Sequence, residues 1–242
     1  MNYFKYFPLT AYGFGNETQP DVFRNITVYA EVIDEIRNNL AFYNDYHIQE
    51  FERPDQVSQK LYGTPNYHWT LWLMNDNIRE QGWPLSNREI NERILETYPH
   101  KVITTKTTLT DRFIVGQTLT GNSSGATGTI HHRHLDLGQL VVNNATGTFR
   151  AGEIISSTNA DGDVETITVT SFEDEYNSAH HYEDANGNYV DIDPTVGPGA
   201  QLTEVTYFDR YFQMNEDLKQ IRVIKPNNII EVVNAFREAI RS

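Results

Sequence analysis

The sequence predicts an α+β fold, because its helical and strand-like patterns are segregated along the chain instead of alternating. Apolar residues at helical spacing occur within 57–78, 90–95 and 229–240, whereas residues 101–172 are dominated by Thr, Gly, Val and Ile in short runs broken by turn residues. At 242 residues the chain is long enough for a packed core and for more than one domain.

Composition narrows the function classes. With 38% hydrophobic, 21% charged and 12% aromatic residues the chain is too apolar for disorder, and no run of about 18 apolar residues marks a membrane span. The start, MNYFKYFPLTAYGFGNETQP, has neither a basic cluster nor a continuous apolar core, so it does not read as a secretory signal. Synthesis and initial retention in the cytosol are expected. Zero cysteines exclude disulfides, thiolate metal sites and cysteine nucleophiles. A formal net charge of −14 repels a phosphate backbone, and no Lys/Arg cluster offsets it, so nucleic acid is not an expected partner. A basic partner or a crowded protein assembly stays open.

Residues 1–47 form an N-terminal arm and a mixed segment. The arm carries Tyr3, Phe4, Tyr6, Phe7, Tyr12 and Phe14, punctuated by Pro8, Gly13 and Gly15. Such an aromatic arm must pack on its own body or on a neighbour. Val22, Ile26, Tyr29, Val32, Ile33, Ile36 and Leu40 come next, near helical spacing, although Thr27–Tyr29 suits a strand equally.

Residues 48–100 read as a small α/β module. HIQEFERPD alternates Ile48 and Phe51 with polar residues as a short strand, ended by Pro54-Asp55. DQVSQKLYG is a two-turn helix with Asp55 as its N-cap and Gly63 as its stop. Thr64 then caps a second helix with Pro65 in its first turn. One stripe of that helix is Tyr67, Leu71, Met74 and Ile78; another is Trp69, Trp72 and Leu73, which predicts burial on two sides. An extended Trp83-Pro84-Leu85 leads to a helix capped by Ser86 or Asn87, with Ile90, Ile94 and Leu95 inward.

Residues 101–172 predict an inserted antiparallel β-barrel or roll. Phe113-x-x-Gly116-Gln117 is echoed by Phe149-x-x-Gly152-Glu153, the mark of a small internal duplication. In residues 173–242, Asn186-Gly187 predicts a two-residue hairpin turn between Tyr182 and Tyr189. QIRVIKP predicts a strand ending at Pro226, and Ile229, Val232, Val233, Phe236 and Ile240 form one face of a terminal amphipathic helix.

Chemistry-bearing motifs are few. GNSSG matches G-x-S-x-G, but the next stretch, ATGTIHHRHL, is strand-like and lacks the helix a nucleophile elbow needs. His131, His132 and His134, with His180 and His181, could share a transition metal, or could be solvent-facing strand residues; the second reading is preferred. DANGNYVDID and NADGDVE resemble fragments of calcium loops without the required glycine and glutamate positions, and read as turns. No catalytic, cofactor or metal site is expected.

The stretch from Ile48 to Ser86 resembles the LysM fold, a βααβ module known for binding peptidoglycan and chitin. RPDQVSQKLYG stands at its first turn and helix, Asn75 or Asn77 near its usual asparagine, and WPLS at its closing strand. More specifically, RPDQVSQKLYGTPNYHWTLWLMNDN with GWPLS after it resembles the baseplate wedge proteins of contractile-tailed, T4-like bacteriophages, which carry a LysM-like core; DVFRN and NEDLKQIRVIKP agree. That resemblance implies a structural subunit of the virion's tail baseplate, assembled in the host cytoplasm. Such a subunit joins neighbouring wedges around the hub in a sixfold hetero-oligomer, and contacts other wedge proteins and the sheath initiator. Candidate interface side chains are Tyr3, Phe4, Tyr6, Phe7, Tyr207, Phe208, Tyr211, Phe212 and Phe236. The alternative is a carbohydrate-binding module; a metal-dependent enzyme would rest on the histidines alone.

Overall fold

The computed structural model describes residues 8–13, 15, 19–25 and 43–239. Tyr3, Phe4, Tyr6, Phe7 and Phe14 of the arm, residues 26–42 of the mixed segment and Ile240 lie outside the described residues. The class is α+β with antiparallel sheets, and the chain divides into two compact units, residues 1–86 with 215–242 and residues 87–214.

In the first unit, β1 (Leu9–Tyr12) and β2 (Asp21–Arg24) form an antiparallel hairpin exposed along both strands. Strand β3 (Tyr43–His47) precedes the expected position, and Phe51 falls in a turn beyond it. Helix α1 (Pro54–Tyr62) starts at proline, not after Asp55. Arg53 is its N-cap, with its backbone N–H donating to Gln56 Oε1 at 2.9 Å, and Asp55 pairs with Arg53 instead. Gly63 ends the helix in the left-handed region at φ 70°, as the glycine predicts.

The second helix is interrupted. A 3-10 turn (Pro65–Tyr67) leads to α2 (Trp69–Met74), Asn75 is extended at φ −133° and ψ 107°, and α3 (Asp76–Gln81) comes after it. The break has a chemical cause. Asn75 Nδ2 donates to Leu71 O and to Arg222 O, both at 2.7 Å, and Arg222 N donates to Asn75 Oδ1 at 2.7 Å. The side-chain amide thus takes the carbonyl that a continuing helix would give to the Asn75 N–H, and pairs with a strand as another strand would.

That strand is β14 (Gln220–Ile224), antiparallel to β3 from Gln220 opposite His47 to Ile224 opposite Tyr43. It closes the sheet expected to be closed by WPLS. Pro84 has no N–H to give a ladder, whereas QIRVI supplies β-branched residues at three of its five positions. Residues 83–86 form no strand, and the partner of Leu85 is a side chain: Leu85 N donates to Asn215 Oδ1 at 2.7 Å and Asn215 Nδ2 donates to Leu85 O at 3.1 Å. Helix α6 (Ile229–Ala239) completes the unit.

Burial on two sides of the α2–α3 segment holds, with the stripes redrawn by the break. Trp69, Leu73 and Met74 pack with Ile224, Ile229, Val232, Val233 and Phe236. Leu71 and Ile78 pack with Ile48, Val57, Leu218, Ile221 and Val223, and Trp72 and Trp83 border them.

In the second unit, α4 (Asn87–Thr97) buries Ile90 and Ile94 but leaves Leu95 53% exposed, so its apolar stripe is narrower than expected. Seven strands come next: β4 (Lys101–Thr104), β5 (Thr118–Gly121), β6 (Thr127–His134), β7 (Gln139–Thr146), β8 (Ile154–Thr158), β9 (Val164–Thr168) and β10 (Ser171–Asp174). Their order is β10-β4-β7-β6-β5-β8-β9, and no ladder among the described residues closes it into a barrel. Its end strands are consecutive in the chain, so the stretch 164–174 pairs with β8 on one side and β4 on the other. Of the two forms expected, this is the roll, wrapped around Phe113, Leu119, Ile130, Phe149, Ile155 and Ile167.

The duplication is visible in backbone bonds. Gly116 N donates to Ile130 O and Ile130 N to Gln117 O; Gly152 N donates to Val169 O and Val169 N to Glu153 O, all at 2.8–2.9 Å. Both glycines have positive φ, 92° and 83°, and Phe113 and Phe149 are both core residues. Where the copies meet, Thr120 of β5 pairs with its counterpart Ser156 of β8, which places a local pseudo-twofold at that pair.

A smaller sheet, β12-β11-β13, comprises β11 (Ala179–Glu183), β12 (Tyr189–Val190) and β13 (Thr203–Thr206), with α5 (Tyr207–Leu218) directly after it. The β11–β12 connection is longer than the two-residue turn expected, because the Asp184 carboxylate gathers the Asn186 and Asn188 N–H groups into a wider loop.

Replacing Asn75 with Leu strands two backbone groups of Arg222 and should cost about 2–4 kcal/mol in chemical denaturation. Asn77→Ala, on a residue without that bidentate duty, should cost much less. Equal costs would contradict the role given to Asn75.

Candidate assembly surfaces

The interface side chains expected from sequence fall into three environments. Phe236 is 2% exposed and its ring lies 5.1 Å from Trp69, so it is a core residue of its own unit and not a surface anchor. The terminal helix finds its partner within the chain because Val232, Val233 and Phe236 meet the α2 face that Trp69 and Leu73 present. Tyr207 is buried also, against Tyr98, His134 and His180. Phe208 and Phe212, one helical turn apart on α5, stack at 6.3 Å and stay half-buried, as does Tyr211.

Surface-exposed apolar side chains lie elsewhere. On the hairpin, Leu9 is 62% and Val22 61% exposed, with Tyr12 and Phe23 exposed on the same strands. Phe51 is 74% exposed and has φ 62°. Sequence periodicity misses it, because alternation with Ile48 assigns it to a strand. The signal that could have found it is the Pro54 three residues on, which favours a turn before it.

Of the five histidines named from sequence, His134, His180 and His181 make side-chain hydrogen bonds in the second unit, and His131 and His132 make ring contacts. His181 Nε2 lies 2.9 Å from the Glu183 carboxylate, His180 Nδ1 lies 2.9 Å from His181 Nδ1, and Arg210 donates to His180 Nε2. One assignment satisfies all three: Arg210 gives to His180, His180 gives to His181, and His181 gives to Glu183. His134 Nε2 is 3.1 Å from the Tyr207 hydroxyl and its ring is 4.7 Å from His132; His131 lies against His100 at 4.4 Å. The nitrogens of His180 and His181 that a metal would need are engaged, and among the described residues no group of three or more His, Asp or Glu side chains is arranged to hold one. Burial first, then the Arg210 charge, lowers the His180 pKa to about 4, and burial raises the Tyr207 pKa to about 12.

GNSSG is equally committed. Glu153 accepts from Ser123 N and Oγ, Ser124 N and Oγ, and Arg150 N. Burial pushes this carboxyl up, but the hydrogen bonds outweigh it and hold it at about 2. The loop is a nest for an internal anion, with both serine hydroxyls spent as donors. The calcium-like loops are likewise closed on themselves: Asn159 Oδ1 accepts from Asp161 N and Asp163 N, and Asp184 from Asn186 N and Asn188 N. An open hollow of about 870 Å³ in the second unit is lined by Asp111, Gln117, Thr158, Asp161 and Glu165 among others, with no aromatic side chain on which a sugar could stack.

The first unit therefore presents exposed apolar side chains on its hairpin and at Phe51. In comparison with known proteins, residues 13–106 match the family described as base plate wedge protein 53. A relative, the baseplate wedge protein gp53 of Enterobacteria phage T4, is 30% identical over 81 residues, which is 32% of this chain and 38% of the relative. The chain thus spans well under half of that relative's length. The matched segment contains β2 of the hairpin, Phe51 and Asn75, and ends just after β4.

Two acid-dependent losses should separate. His180 is depressed from 6.5 to about 4, so the stability it supports is complete above pH 6.5 and is lost as pH falls toward about 4. Glu153 is depressed from 4.5 to about 2, so its contribution is complete above pH 4.5 and is lost as pH falls toward about 2. Thermal melts from neutral to acid pH should show the lower loss flattened in Glu153→Gln and the upper loss flattened in His180→Gln. Unchanged profiles in both variants would contradict these assignments.

Proposed function

We propose that the chain is a structural subunit of the tail baseplate wedge of a contractile-tailed phage, joining neighbouring wedges around the hub during assembly. The observation that carries this is the family match over residues 13–106. It is supported by side chains that could have been catalytic being engaged in internal hydrogen bonds. The partners are other wedge proteins, neighbouring wedges and the sheath initiator, in a sixfold hetero-oligomeric assembly.

A sugar-binding role for the tryptophans has no counterpart in their packing. Trp69 is 8% exposed against Phe236, Trp72 is half-buried at 5.6 Å from Trp83, and Trp83 Nε1 donates to Glu52 O at 2.7 Å. They hold the unit together.

A specific interface buries more than about 1,000 Å², with large apolar side chains carrying most of its energy. Changing Leu9 and Val22 to Ser, or Tyr6 and Phe7 to Ser, should leave the isolated chain's melting temperature unchanged and lower its incorporation into baseplates at least about tenfold. Quantitative mass spectrometry of purified baseplates reads the outcome. Particles assembling normally while the wild-type chain stays free in the lysate would overturn the proposal.

A further inference from the structure

Phe51 is at odds with everything folding rewards. It occupies the third position of a four-residue turn from Gln49 to Glu52, closed by Glu52 N donating to Gln49 O at 3.0 Å. At φ 62° this is a position that glycine or asparagine fills without strain and a bulky aromatic residue does not. Burial does not offset the strain, because the side chain is 74% exposed. The turn nevertheless has no freedom to relax. Glu52, the next residue, accepts from the Tyr46 hydroxyl at 2.8 Å, from Gln49 N at 3.0 Å and from Lys60 Nζ at 2.9 Å, while its carbonyl accepts from Trp83 Nε1 at 2.7 Å. On the other side Gln49 Nε2 donates to His47 O at 3.0 Å. Strain that its surroundings impose in this way is characteristic of positions kept for function.

From this geometry we infer that Phe51 is an anchoring side chain that inserts into an apolar, uncharged pocket on another baseplate subunit. The chemistry of the pocket is set by the surroundings. Phenyl carries no hydrogen-bonding group, and each carboxylate beside it lies within ion-pair reach of a cation: Glu52 of Lys60, Asp55 of Arg53, and Glu50, at 3.7 Å, of a Lys219 that Glu216 shares. The rim asks for no countercharge, so an approaching partner gains by covering the ring and not by supplying a base. The turn is rigid before contact, which keeps the entropic cost of ordering the anchor low. Phe51 lies within the segment matched to the wedge family, and the inference rests on the assembly role proposed above.

The test is a substitution that moves stability and assembly in opposite directions. Phe51→Gly should raise the melting temperature of the isolated full-length chain by about 2–4 °C, since glycine takes the positive φ without strain. The same variant should enter baseplates at least about tenfold less than wild type, and Phe51→Tyr, which keeps the ring, should enter near the wild-type level. A lowered melting temperature in Phe51→Gly, or undiminished incorporation beside wild type, would overturn the anchor while leaving the assembly role standing. Wild-type chain absent from baseplates would instead overturn the assembly role itself. Concentration-dependent self-association of the isolated wild type that Phe51→Gly abolishes would assign the pocket to a second copy of this chain, against the inference.

Discussion

The first unit depends on the Asn75 amide. Two strands alone make a marginal sheet, and β14 has β3 on one edge only. Its other edge would expose backbone groups inside the core, between the two apolar clusters, where an unpaired donor or acceptor costs about 1–3 kcal/mol. Asn75 meets both groups of Arg222 with one side chain, and the Tyr62 hydroxyl meets Ile224 O at 2.9 Å. Helices can therefore pack edge-on against the strand while Trp69, Leu73 and Leu71 fill the space to either side. A break in the helix is the structural cost of turning the amide toward the strand.

Asn215 repeats the device at Leu85. These residues lie at the two points where the chain leaves and re-enters the first unit, residues 86 and 215. A bidentate amide at that place holds the two ends together. The Glu153 carboxylate fills the GNSSG nest, His180 and His181 hand their hydrogen bonds on to Glu183, and His134 pairs with the Tyr207 hydroxyl. The GNSSG serines and the His180–His181 pair, which resemble active-site residues in one dimension, are engaged in internal hydrogen bonds in three.

Much of this is legible in the sequence because it is local. Gly63 as a helix stop, the apolar face from Ile229 to Phe236, and the paired Phe-x-x-Gly turns each need only a few neighbouring residues. The misreadings share the opposite property. WPLS looks like the closing strand because periodicity cannot announce that β14, more than a hundred residues later, will take that place beside β3. Phe236 reads as a surface residue for the same reason, its partner Trp69 being far away in the chain. The surface candidates divide likewise: Leu9 and Val22 belong to the expected arm region, whereas Phe51 is hidden by an alternation that suits a strand. Asn75 stands out by resemblance, but its task depends on Arg222.

A density map of the intact phage baseplate is the most direct test of the account. It should show this chain in every wedge, with the Asn75–Arg222 pairing intact, and with the 9–24 hairpin and the Phe51 turn buried against neighbouring subunits. A baseplate that lacks the chain, or one in which the hairpin and Phe51 face solvent, would contradict it.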